Sequence, residues 1–191
     1  NSLKNMMPLT ANDITNVAKR GYYLGTPLKG IIKIDDTNNI FIVKNNGRVS
    51  DPIELRKDIY TIGSLAKSIQ NRLQEDKVLG KRGIQVREEE GGLKIISNTY
   101  GENSTIEIEP AAEKDLESLG LEDGISVSGE NVEGKIGNVK AEGRGQLLVG
   151  SEGSNAEGLR IFVKIGENDL VDNEEANVKI SKGVAVKLGD K

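Results

Sequence analysis

The sequence predicts a mainly β chain with two short helices, an α+β protein built from antiparallel sheets and divided into two β-rich domains. Three observations carry this. Hydrophobic residues make up 36% of the chain and aromatics only 3%, with no tryptophan, so the core must be a lean one of Ile, Val and Leu. Those residues fall in short β-branched runs separated by clusters of Asp, Asn and Gly, the composition of strands and turns. The 23 glycines are densest after Gly120, where they interrupt stretches too short for helices. A chain of 191 residues holds one large domain or two small ones. The change in texture puts a boundary near Gly129, with a head domain at 27–128 and a second β-rich domain in the tail from 129 to 191.

Residues 1–25 are read as strand and loop, although Leu9 to Ala18 would also suit a short helix capped by Thr10. Leu28 to Ile34 and Ile40 to Val43 are β-branched runs flanking Asp35-Asp36-Thr37-Asn38-Asn39, which predicts a hairpin. Asn45-Asn46-Gly47 is a second turn, and Val49 to Leu55 returns as a strand that Pro52 confines to an edge or an irregular position. From Thr61 the period changes. Ile62, Leu65, Ala66, Ile69 and Leu73 follow helical spacing, with Thr61 as the cap and Gly80 beyond the end, predicting a helix over 62–75.

Beyond it, Ile84 to Arg87 and Leu93 to Ile96 alternate around Glu88-Glu89-Glu90-Gly91-Gly92, and Thr105 to Glu109 alternates again before Pro110. A second helix is predicted over 112–119, ending at Gly120. The tail offers strands at Lys135 to Val139, Gln146 to Val149 and Leu159 to Ile165, and a final pair at Asn177 to Ile180 and Gly183 to Leu188, in a sandwich-like arrangement.

Composition narrows function by subtraction. The chain has no cysteine and no histidine, which removes the thiolate nucleophile, the commonest neutral-pH base and the usual transition-metal ligands. Net charge is −4, and the 26 basic residues are scattered, which argues against nucleic acid as a partner. No apolar run approaches the roughly 20 residues that cross a bilayer as a helix. Gly143-Arg144-Gly145 lacks the Gly-Lys-Ser/Thr of a phosphate loop and reads as a turn. Asp35 to Asn39 and Asn168-Asp169 to Glu174-Glu175 carry oxygen ligands without the pattern of a calcium loop. Glu88 to Glu90 sit in an expected exposed turn, where nothing raises a carboxyl pKa for acid catalysis. The expectation is therefore no enzyme, no cofactor and no metal.

Ordered pieces of the middle of the chain resemble a known family. They are Tyr60-Thr61-Ile62-Gly63-Ser64-Leu65-Ala66-Lys67-Ser68-Ile69-Gln70-Asn71; Gly92 to Gly101 with its Ser-x-x-Tyr-Gly turn; Leu119-Gly120-Leu121 before Gly129-Glu130-Asn131-Val132-Glu133-Gly134-Lys135-Ile136-Gly137; and Ala141 to Leu148 followed by Ala156-Glu157-Gly158-Leu159. Together they resemble the middle region of the bacterial flagellar filament cap protein, also called hook-associated protein 2. Lys179 to Ala185 is similar to the stretch before that family's C-terminal coiled region.

The resemblance implies that this chain is the pair of head domains alone, with the domain at 27–128 inserted into one formed by 1–26 plus 129–191. It further implies an exported structural protein of the extracellular flagellum that oligomerises at the filament tip and helps flagellin assemble. The implied partners are other cap subunits, flagellin and the hook-filament junction proteins. The alternative is a surface adhesin or carbohydrate-binding β-sandwich module. Tyr22, Tyr23 and Tyr60 are the candidate interface residues, because tyrosine joins apolar area to a polar tip; local core filling is the competing role for them.

Overall fold

A computed structural model describes residues 14–164, and these are mainly β. Two compact units are present: residues 20–130 form one, and residues 14–19 with 131–164 belong to the other.

In chain order the strands open with β1 (Ile14–Asn16), then β2 (Arg20–Leu24) and β3 (Ile32–Lys33). Gly30, at φ 73, interrupts the Leu28 to Ile34 run, so only its last part pairs. β4 (Ile40–Asn45) follows, with β5 (Arg48–Val49), β6 (Ile53–Glu54) and β7 (Ile59–Tyr60). The expected hairpin across Asp35 to Asn39 does not form. β3 pairs with β7, and β4 lies between β10 (Ile106–Pro110) on one side and β5 and β6 on the other. Asn38 supplies the reason: its amide donates to Lys33 O at 2.9 Å and Ser118 Oγ at 2.8 Å while accepting from Asp35 N at 2.9 Å. Those bonds hold the loop as a crossover between sheets. The Asn46-Gly47 turn is as expected, with φ values of 53 and 73 that match the two left-handed residues of a tight hairpin. Pro52 splits the predicted 49–55 strand into β5 and β6, both lying on the outer side of β4.

Helix α1 (Ile62–Glu75) matches the predicted span. Thr61 Oγ1 accepts from Ser64 N and Ser64 Oγ accepts from Thr61 N at 3.0 Å, a reciprocal cap that satisfies two otherwise orphaned donors. Leu65, Ala66, Ile69 and Leu73 are buried, and each Leu or Ile stabilises the fold by about 2 kcal/mol. β8 (Gln85–Glu89) and β9 (Gly92–Tyr100) make the expected hairpin, but its turn is only Glu90-Gly91, so Glu88 and Glu89 belong to the strand.

The second predicted helix shrinks to a single 3₁₀ turn at Glu117–Leu119, closed by Gly120 at φ 66. Ala112 sits at φ 58, which breaks any right-handed helix there, and Asp115 N is drawn to Thr37 O at 2.9 Å. The last strand of this unit is β11 (Ile125–Val127), which completes the sheet β11-β2-β9-β8. The core of the unit packs Phe41 and Val43 of β4, Leu93 and Ile95 of β9, and Ile106 against α1.

In the other unit, the expected strand from 135 to 139 is instead a hairpin: β12 (Glu133–Ile136) turns at Gly137, φ 63, into β13 (Val139–Lys140). β1 pairs with β12, and β14 (Glu142–Arg144), β15 (Leu147–Val149) and β16 (Arg160–Phe162) form a second antiparallel sheet. Gly143-Arg144-Gly145 is thus strand and turn. Ile14, Val132, Ile136, Leu148 and Ile161 are buried. Residues 20–26, grouped with the tail from sequence, instead form β2 and its continuation, hydrogen-bonded to β9 and β11 in the 20–130 unit. The predicted strands at 177–180 and 183–188, and the acidic stretch at 168–175, lie outside the described residues.

Candidate interaction surface

β2 places its two tyrosines on opposite faces of the sheet, as strand geometry requires. Tyr23 is 6% exposed and belongs to the core. Its hydroxyl donates to Leu121 O at 2.8 Å and accepts from Gly124 N at 3.0 Å, and burial pushes the phenol pKa up. It is a structural residue. Tyr60, on β7, is half-buried against the core and donates to Arg56 O at 2.9 Å, closing its own loop. Of the three candidates, Tyr22 alone lies with the charged side chains of the β2-β9-β8 face, so the structure does not gather the tyrosines into one site.

Around Tyr22 that face is a linked array. Lys94, next to Leu24 across the strands, holds its ammonium 4.1 Å from the Tyr22 ring centroid and pairs with Glu89. Arg87 Nε donates to the same carboxylate at 3.0 Å. The Lys94 hydrogen bond, followed by that of Arg87, holds the Glu89 carboxyl below its usual pKa, so it stays anionic and is poorly suited to donate a proton. At the far end Arg20 lies 5.9 Å from the Tyr100 ring centroid and donates to Gln85 Oε1 at 3.4 Å. Both aromatic rings on this face therefore already carry a cation.

Sequence reasoning missed the most exposed apolar positions. Ile31 is 71% and Ile59 62% exposed, and Ile125 on β11 is 63% exposed. Ile31 and Ile59 share the outer face of the β3-β7 ribbon with Lys33, since Ile32 and Tyr60 turn inward. In sequence, the Ile31-Ile32 pair looks like two core residues; what separates them is the long-range pairing of Lys33 with Ile59, which no local pattern carries.

Three acidic groupings have structural explanations. Asp35 Oδ1 accepts from Thr37 Oγ1 at 2.7 Å and Thr37 N at 3.0 Å, and these bonds, with Lys33, lower its pKa to about 2. A surface hollow beside the end of α1 is self-paired: Arg72 meets Glu75 at 3.2 Å, and Asp51 N donates to Asp76 Oδ2 at 2.8 Å. The carboxylates of Asp115, Glu117 and Glu122 lie within 4.8 Å of one another, all exposed, and Asp115 already accepts from Glu117 N. No protein family, curated protein or solved structure matches the chain.

Proposed function

We propose that this chain acts by protein contact, as the two head domains of a flagellar filament cap subunit, with residues 20–130 inserted into a domain made by the segments on either side. The observation that carries this is the antiparallel pairing of β1 with β12, which joins residues 14–16 to 133–134 across the whole intervening unit. The ordered motifs supply the family: helix α1 and its Thr61 cap, β9 with the turn after it, and the β12 and β14–β15 hairpins occupy the segments that resemble the cap protein. On this reading the protein is exported, associates with copies of itself at the filament tip, and meets flagellin and the hook-filament junction proteins there.

The face around Tyr22 also weighs against the adhesin alternative. A sugar stacking on Tyr22 or Tyr100 would have to displace Lys94 or Arg20. Gold-labelled antibodies to this chain, viewed by electron microscopy on the source cells, separate the two. Labelling confined to filament tips is the expected result. Labelling spread over the cell body, with saturable binding on a glycan array, would replace the cap reading with the adhesin.

A further inference from the structure

Asn46-Gly47 is the single Asn-Gly step in the sequence. Chemically this is the most labile asparagine context, because glycine leaves the following backbone nitrogen unhindered. That nitrogen attacks Asn46 Cγ, ammonia departs from Cγ, and water opens the resulting succinimide to aspartate or isoaspartate. Asparagine plus water becomes acid plus ammonia, with no redox partner.

The fold engages both ends of this amide. Asn46 Nδ2 donates to Thr99 Oγ1 at 2.8 Å, and Oδ1 accepts from Thr105 N at 2.8 Å. The backbone of Asn46 is tied to the same neighbour, its N–H donating to Thr105 O at 3.0 Å. The side chain therefore bridges the β4-β5 turn to the end of β9 and the start of β10. Those two bonds fix the plane of the carboxamide, so any rotation of it toward the Gly47 nitrogen breaks them.

We propose that Asn46 is a deamidation site which the folded 20–130 unit holds closed, and whose conversion to isoaspartate marks molecules in which the turn has opened. An isoaspartate adds a methylene to the turn backbone and shifts the register of Lys44 and Asn45 against Val49 and Arg48. Aspartate is better tolerated, because its carboxylate still accepts from Thr105 N and the Thr99 hydroxyl can turn to donate.

The test is peptide mapping by mass spectrometry after prolonged incubation of the whole chain at mildly alkaline pH, native and in urea. Asn46 should convert many-fold more slowly in the native chain than in urea. Thr99→Val should speed native conversion roughly fivefold, the factor one neutral hydrogen bond is worth, with circular dichroism unchanged. Equal rates in the native and urea samples would overturn the proposal. So would a Thr99→Val chain that keeps its fold and the native rate. If Thr99→Val loosens the unit, Thr99→Ser, which keeps the acceptor, should return the native rate; a fast Thr99→Ser variant with native circular dichroism would also refute the latch.

Discussion

Replacing Tyr23 with phenylalanine removes one oxygen and nothing else, so its cost can be worked from the two bonds that oxygen makes. The hydroxyl donates to Leu121 O at 2.8 Å and accepts from Gly124 N at 3.0 Å. Each neutral bond contributes about 1 kcal/mol, giving a loss of about 2 kcal/mol in the 20–130 unit. Water can partly replace the bond to Gly124, which is only half-buried, so the loss should not greatly exceed that figure. The four tyrosines, Tyr22, Tyr23, Tyr60 and Tyr100, all lie in this unit, and the chain has no tryptophan. Tyrosine fluorescence therefore follows unfolding of residues 20–130 alone. With a urea slope of about 2 kcal/mol per molar, the midpoint should fall by about 1 M, while Tyr22→Phe, which keeps its ring under Lys94, should leave it nearly unchanged. A Tyr23→Phe midpoint within about 0.2 M of wild type, by the same slope, would refute the structural assignment. It would return Tyr23 to the interface candidates.

Further outcomes follow from the same geometry. A Cβ on Gly143 would fall 1.8 Å from Val132 O, a rigid backbone contact, so Gly143→Ala should destabilise its unit by about 3 kcal/mol, read by chemical denaturation followed by circular dichroism. Thr61→Ala removes the acceptor that caps α1 and should cost about 1 kcal/mol, a fall of about 0.5 M in the tyrosine-monitored urea midpoint. The Asp35 carboxyl, lowered to about 2 by its bonds to Thr37, should titrate near that value by carbon-13 NMR. Because the folded pKa lies below the unfolded one, its contribution is present above about pH 4 and is lost as pH falls through the folded value; Asp35→Asn should flatten the stability profile in that window. Burial raises the pKa of Tyr23, so its phenol should ionise above the ordinary tyrosine value near 10 by ultraviolet titration, in a step that Tyr23→Phe removes, and its share of stability declines as pH rises above that value.

Where the sequence was legible, the signal was local. Helix α1 could be read residue by residue because its stripe, its cap and its end lie within one stretch of chain. The Asn46-Gly47 turn was legible because glycine marks the needed backbone angle, and the Glu88 to Gly92 run located the second turn without giving its bounds, Glu90-Gly91. Pairing was not. β3 joins β7 and leaves β4 to β10, a choice set by Asn38 reaching Ser118, 80 residues away, which no local pattern encodes. The 112–119 segment misled because its leucines have helical spacing, while a backbone bond from Asp115 to Thr37 and the left-handed Ala112 prevail. Among the candidate tyrosines, strand alternation alone separates Tyr22 from Tyr23, but not which of the two faces outward. That depends on which side of the β11-β2-β9-β8 sheet faces the core.

The pairing of β1 with β12 also sets an order of events. During synthesis at about 5–20 residues per second, Ile14 to Asn16 emerge and then wait on the order of ten seconds before Glu133 and Gly134 exist to receive them. Residues 20–130 are complete within that interval and can fold first. The waiting strand is an open edge, and at three residues it is too short to template much pairing with a neighbouring nascent chain.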